Sequence, residues 1–154
     1  DQARGIEFPV SGLQSGMLVA QKGDAMPRQR TIVSTEKAPA AVGPYSQAVR
    51  IGDLVYTAGQ IPLDPTTGTM VSGGIEAQTR QVRSNVSAVL EAAGSGLESI
   101  VKMTVFMTDL GQFQPMNAVY AEFFPGDPPA RSAVEVSALP LGADIEMEAV
   151  AVCG

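Results

Sequence analysis

The sequence predicts an α+β domain: a mixed β-sheet with two amphipathic helices on one of its faces. Three observations predict it. Short β-branched or alternating runs recur along the chain, two apolar stripes of helical period interrupt them, and the order reads strand, hairpin, helix, strand, helix, strand, strand. Each strand–helix–strand passage returns the chain in the same direction, so at least part of the sheet is parallel or mixed. Two helices cover one face of such a sheet. The other face needs its own covering, and at 154 residues the expected covering is another subunit.

Residues 31–34 read as a short β-branched strand, and 37–45 as a Pro/Gly loop. Residues 48–51 and 54–58 are strand-like runs around Gly52-Asp53, a pair that tolerates the positive φ of a tight hairpin turn. A long loop with Pro62, Pro65, Gly68, Gly73 and Gly74 follows. The helix over 75–93 carries Ile75, Val82, Val86, Val89 and Ala93 on one stripe, with Arg80, Arg83 and Glu91 off it. Gly94 supplies its stop. Residues 100–108 alternate as a strand, placing Val101, Met103, Val105 and Met107 on one side and Lys102 and Thr104 on the other. A second helix is expected over 113–124 from Phe113, Met116, Tyr120 and Phe123, with Pro115 in the first turn, where a missing N–H costs little. Residues 131–136 put Ser132, Val134 and Val136 on one face. Residues 145–152 put Ile145, Met147, Ala149 and Ala151 on one face and Glu146, Glu148, Val150 and Val152 on the other.

Composition narrows the chemistry. Apolar residues make up 45% and aromatics 5%, so the core is built from small aliphatic residues and Met. No apolar run approaches the roughly 20 residues that span a bilayer, and the chain is read as soluble. The net charge is −6. With only Arg28 and Arg30 as a dense basic stretch, binding to nucleic acid is not expected. Cys153 is the single cysteine, which rules out a disulfide within the chain. There is no histidine, so a Ser-His-Asp triad, a histidine zinc site and a histidine base are all excluded.

Residues 1–30 form an extension without sustained period, expected as a flexible segment or leader ahead of a single domain over 31–154. Its apolar pieces Phe8-Pro9-Val10 and Met17-Leu18-Val19-Ala20 could still add strands. Asp1, Glu7 and Asp24 fit a transit peptide poorly. The expected compartment is the cytoplasm, with a mitochondrion or plastid as the alternative if the extension is a targeting remnant.

Arg131 stands out among the candidate site residues. From Ser84 on, Lys102 and Arg131 are the only cations. Arg131 opens a strand after the rigid Pro128-Pro129-Ala130, a good position for a bidentate grip on a carboxylate. On the residues alone, a structural ion pair with Glu135 or Glu146 is the commoner use of such an arginine. Glu146 and Glu148 share a strand face that turns apolar at Val150, a setting that raises a carboxyl pKa and suits proton transfer. A solvated strand end is the plainer reading. Tyr45 and Asn117 could touch a ligand, or pack on the core and cap a loop. Gly59 could present backbone groups, and Cys153 is too near the end to serve as a nucleophile.

Several motifs then coincide in order. They are Ala38-Pro39-Ala40-Ala41-Val42-Gly43-Pro44-Tyr45-Ser46-Gln47-Ala48, Gly59-Gln60-Ile61-Pro62 with Thr67-Gly68, and Gln78-Thr79-Arg80-Gln81 with Asn85 and Ala92-Ala93-Gly94. Val101 to Phe106 with Asp109-Leu110 follows, then Pro129-Ala130-Arg131-Ser132-Ala133-Val134-Glu135-Val136, Leu139-Pro140 and Ile145 to Ala151. Over about residues 32–152 the chain resembles the Rid family, also called the YjgF or L-PSP family.

The resemblance implies a chorismate-mutase-like fold, with a mixed six-stranded sheet and two helices on one face. It implies a homotrimer whose sheets form a central barrel, with ligand sites between subunits. It also implies hydrolysis of enamines and imines such as 2-aminoacrylate to 2-keto acids and ammonia, a form of metabolite damage control that uses no metal or organic cofactor. By position, Arg131 matches the arginine that binds the substrate carboxylate, and Glu146 the glutamate associated with the attacking water. Tyr45, Gly59 and Asn117 match pocket positions, and Ser132 and Ala133 would offer backbone groups. The chain departs from many relatives at Ala133, often Cys, and at Ala58, often Ser, and its 125–129 loop is shorter than in some. The alternatives are a non-catalytic sensor of 2-keto acids and, with less support, an RNA-directed translation inhibitor.

Overall fold

A computed structural model describes residues 28–154; the two apolar pieces expected as added strands lie outside the described residues. Eight main elements follow in chain order: β1 (Arg30–Val33), β2 (Ala48–Ile51), β3 (Leu54–Thr57), α1 (Ile75–Ala92), β4 (Ile100–Met107), α2 (Phe113–Ala121), β5 (Ala130–Glu135) and β6 (Ile145–Val152). The strands form one sheet in the order β1-β2-β3-β6-β4-β5. Among the described residues, only β4 and β5 pair in parallel; every other strand pairing is antiparallel. The predicted mixed six-stranded sheet is therefore present, with its last strand inserted between β3 and β4.

Both helices lie on one face. The apolar stripe of α1 is buried as predicted, from Ile75 through Val82, Val86 and Val89. It packs on the inward side of β6, where Ile145, Met147, Ala149 and Ala151 are buried in alternation with Glu146, Glu148 and Val150. Gly52 takes φ 58 in the hairpin turn and Gly94 φ 79 after α1, both in the left-handed region that glycine adopts at little cost. No helix among the described residues is long and apolar enough to cross a membrane.

Two expectations are corrected. Val101 does not join the buried side of β4: it is 47% exposed. A register irregularity between Ile100 and Lys102 inserts one residue there, so the alternation restarts at Met103. Helix α2 stops at Ala121 rather than at residue 124. Pro125 disfavours helical backbone at Phe124, and Phe123 and Phe124 turn back through short-range bonds to Tyr120 and Ala121. The three rings then pack together, with centroids 5.1–6.0 Å apart.

Among the described residues, the second sheet face carries no helix. Ile32, Tyr56, Val134 and Val152 stand exposed on it, together with Glu146 and Glu148.

Candidate active site

The expected site residues fall into two groups on opposite faces of the sheet. Arg131 is the second residue of the edge strand β5, opposite Met103. This register points it to the helix face, beneath α2. Its guanidinium donates to Asn117 Oδ1 at 2.7 Å. It lies 4.6 Å from the ring centroid of Tyr120 and 5.3 Å from that of Phe113. The two rings and the amide fix the fork, and its other N–H groups are left for a ligand.

Arg131 makes no ion pair among the described residues; the one recorded there joins Arg80 and Glu122 at 3.3 Å. The ion-pair alternative with Glu135 or Glu146 is thus not realised. Glu135 instead accepts from the Leu110 backbone N–H at 2.8 Å, and Glu146 lies across the sheet. A groove of about 560 Å3 opens beside the arginine, walled by Asn117, Tyr120, Phe124, Pro128 and Pro129. Tyr120 is buried, its hydroxyl has no hydrogen-bond partner among the described residues, and burial pushes its pKa up against the lowering effect of Arg131. The phenol is therefore protonated at neutral pH, and its face is what it offers the cation.

Glu146 is the second residue of β6, opposite Phe106 on the open face. Burial first, and the like charge of Glu148 second, hold its carboxyl above the ordinary carboxylate range. Its neighbour is Gly59. A Cβ at that position would land on the Glu146 carboxylate, with the carboxyl carbon only 2.7 Å away. The glycine is a steric requirement for the glutamate's position. Together with Tyr45, these residues line a cleft of about 580 Å3. The Tyr45 hydroxyl accepts from the Val42 N–H at 3.3 Å.

Three buried amides hold the loops around this cleft. Gln47 accepts from Thr35 N–H at 2.6 Å and donates to Thr35 and Pro39 carbonyls at 3.0 and 2.8 Å. Asn85, on α1, donates to the carbonyls of Ile61 and Leu63 at 3.0 and 2.9 Å. Gln78, one heptad earlier, grips Asp144 through both its carboxylate and its backbone N–H, at 2.7 and 3.0 Å. Buried carbonyls need such partners, and here the partners fix the geometry around Glu146. All three stand in the motifs quoted from the sequence, which gave them no role, and Tyr120 and Phe113 were not foreseen as partners of the arginine. A signal existed for Gln78 and Asn85: with Ile75, Val82 and Val89 they step by three and four, so two amides sit on an apolar stripe.

A family model described as Endoribonuclease L-PSP matches residues 35–153. The chain belongs to the L-PSP family. Among its relatives in this family is a RutC family protein of Pyrococcus abyssi, 52% identical over 79% of this chain and 96% of its own. The human 2-iminobutanoate/2-iminopropanoate deaminase is 45% identical, over 81% of this chain and 91% of its own length. The crystal structure of Escherichia coli TdcF with bound serine superposes with a TM-score of 0.77 at 43% identity, covering 80% of this chain and 99% of that one.

Of the expected site residues, Arg131 and Asn117 meet in one groove, and Tyr45, Gly59 and Glu146 meet in the other. Ala133 shares the arginine's face, two residues along. The Ser132 side chain points to the opposite face, where its hydroxyl accepts from Lys102 Nζ at 2.8 Å. Since β5 is an edge strand, part of its backbone remains unpaired by the sheet beside Arg131.

Proposed function

We propose that this protein hydrolyses reactive imines and enamines of the 2-aminoacrylate type to 2-keto acids and ammonia. The observation that carries this reading is the guanidinium of Arg131, set between aromatic rings and free of any carboxylate partner among the described residues. It is a ready receptor for the substrate carboxylate. The deaminase relative at 45% identity supports the same reaction.

In this reading the ionised Glu146 accepts a proton from a water that attacks the imine carbon. The C=N bond becomes C–N and C–OH. That proton passes to nitrogen, giving the amino alcohol; the hydroxyl proton then follows it to nitrogen, the C–N bond breaks, and ammonia leaves as the carbonyl forms. An enamine first takes a proton at its terminal carbon to become the imine. The Tyr45 hydroxyl and the backbone around Gly59 border the reacting atoms.

Arg131 and Glu146 cannot meet within one chain, because the sheet separates them. The reaction therefore needs an assembly in which the Arg131 groove of one subunit faces the Glu146 cleft of the next. A homotrimer that closes its open sheet faces into a central barrel provides this, and the apolar residues on that face support it.

The test is release of ammonia and keto acid from 2-aminoacrylate generated in situ by a dehydratase. Arg131→Ala should lower kcat/KM by about a hundredfold or more. Equal rates for wild type and Arg131→Ala would sink the assignment. A second reading, a keto-acid sensor without turnover, draws on the fact that the Arg131 groove is complete within one chain. Tight keto-acid binding without faster imine hydrolysis would favour it. An RNA-directed role is opposed by the net charge of −6.

A further inference from the structure

Strands β3 and β6 lose their register where the glutamate cleft begins. Leu54, Val55 and Tyr56 pair with Val152, Ala151 and Val150. Continued unbroken, that register would pair Gly59 with Met147 and Gln60 with Glu146. The observed bridge instead joins Gln60 to Met147, through backbone bonds of 2.8 and 3.1 Å. One extra residue is therefore inserted on the β3 side, a β-bulge between Tyr56 and Gln60.

The insertion decides what faces Glu146. Side chains alternate between the faces of a sheet, so a slip of one residue exchanges them. Gln60 shares the face of Met147 and is buried with it. In the unbroken register its side chain would stand beside Glu146 on the open face. With the bulge, the carboxylate meets the bare backbone of Gly59, where a Cβ would come within 2.7 Å of the carboxyl carbon.

A bulge interrupts the ladder, and the backbone groups it releases need other partners. Along β6 the N–H groups of Met147 and Cys153 point toward β3 and donate to the Gln60 and Asp53 carbonyls. The Ala149 N–H lies between them on the same edge, opposite the interruption. It donates to the Thr57 hydroxyl at 2.9 Å. A side-chain oxygen thus takes the place of a backbone carbonyl. On the β2 side, the Ala58 N–H donates to the Gln47 carbonyl at 2.8 Å. Thr57, Gln60, Met147 and Ala149 are all buried within one chain, so the arrangement does not depend on what covers the open face.

We propose that Thr57 is a positioning residue for Glu146: its hydroxyl completes the interrupted ladder and holds the inserted residue that sets Gly59 against the carboxylate. The inference rests on the deaminase reading, in which Glu146 takes a proton from the attacking water. Thr57 touches no reacting atom and acts through that carboxylate. Valine has the same shape but no acceptor, so Thr57→Val leaves the buried Ala149 N–H unpaired and removes what holds the bulge. Serine keeps the hydroxyl.

The experiment measures imine hydrolysis by the full chain, with Thr57→Val and Thr57→Ser each made alone and together with Glu146→Gln. Thr57→Val lowers kcat by about tenfold or more with KM changed less than about twofold, because a displaced carboxylate weakens the chemical step and leaves the Arg131 grip in place. Thr57→Ser recovers most of that loss. On the residual rate of Glu146→Gln, adding Thr57→Val costs less than about a further twofold, since the two act as one unit. If Thr57→Val does not assemble, Thr57→Ala, which leaves room for a water on the Ala149 N–H, carries the same comparisons.

A kcat for Thr57→Val within about twofold of wild type, or equal losses with and without Glu146→Gln, overturns the inference and leaves the deaminase reading intact. A wild type that hydrolyses no imine removes that reading. The crystal structure of Thr57→Val then decides the role of the hydroxyl: a kept Gln60–Met147 bridge with Glu146 unmoved overturns it, and a slipped register supports it.

Discussion

Arg131 is held by things that carry no charge. An amide oxygen and two ring faces surround its guanidinium, so none of its positive charge is spent on a carboxylate among the described residues. Each ring is worth about 0.5–2 kcal/mol to a cation over its face. Tyr120→Leu should weaken 2-keto acid binding and raise KM by about tenfold, with kcat little changed, because the carboxylate grip serves substrate and transition state alike. Tyr120→Phe should restore binding, since the phenol has no partner to lose among the described residues. Isothermal titration of both variants decides this, and equal losses for the two would contradict the ring-face account.

Glu146 gives a second prediction at this scale. Its folded pKa is raised, so the ionised form is scarcer just above the ordinary carboxylate range, about pH 4.3, than for a free glutamate. If that form accepts the proton from water, the acid limb of the kcat/KM profile lies above this range and activity rises with pH through it. Removing the neighbouring charge with Glu148→Gln should move the limb to lower pH. Folding takes up a proton on Glu146 in this window, so stability falls as pH rises through it, and Glu146→Gln should remove that slope. An acid limb at the ordinary glutamate value would disprove the assignment.

Among elements, the loop after β3 and strand β6 act as one unit. Gln60 bridges to Met147 through two backbone bonds, 2.8 and 3.1 Å, which brings Gly59 against the glutamate. Gly59→Ala forces the carboxylate or the loop to move. A displacement of about 1 Å costs on the order of a hundredfold in rate, so kcat/KM should fall by that factor while circular dichroism and melting temperature change little. Activity within twofold of wild type would mean that the carboxylate position is not critical.

Much of the elemental pattern was legible in the sequence. The alternation in β6 and the stripe of α1 are local and periodic, and both survive in the fold. The bulge at Val101 was not legible, because an extra residue in one strand shows only against its partner strand. The early end of α2 was half-legible: Pro125 signalled a stop, but the phenylalanine stripe ran past it. The aromatic seat of Arg131 joins residues from α2 and β5 that no spacing rule connects.

For the whole molecule, the sequence carried the layer count and the helices' restriction to one face, but not the strand order. β6 slides between β3 and β4, which is a choice among long-range pairings. That choice matters to function. It puts Glu146 near the middle of the sheet, next to the β3 loop, and leaves β5 with Arg131 at the edge. The two proposed site residues are thus separated by the thickness of the sheet rather than by sequence distance.

In the proposed mechanism this separation would make the two halves of the chemistry genetically divisible. A chain with Arg131→Ala still carries a sound glutamate, and a chain with Glu146→Gln still carries a sound arginine. Each homogeneous preparation should be nearly inactive. Unfolded together and refolded as a mixture, the two should regain about a quarter of wild-type activity, because one interface in four then joins an intact arginine to an intact glutamate. Two inactive alleles in one cell would complement each other for the same reason.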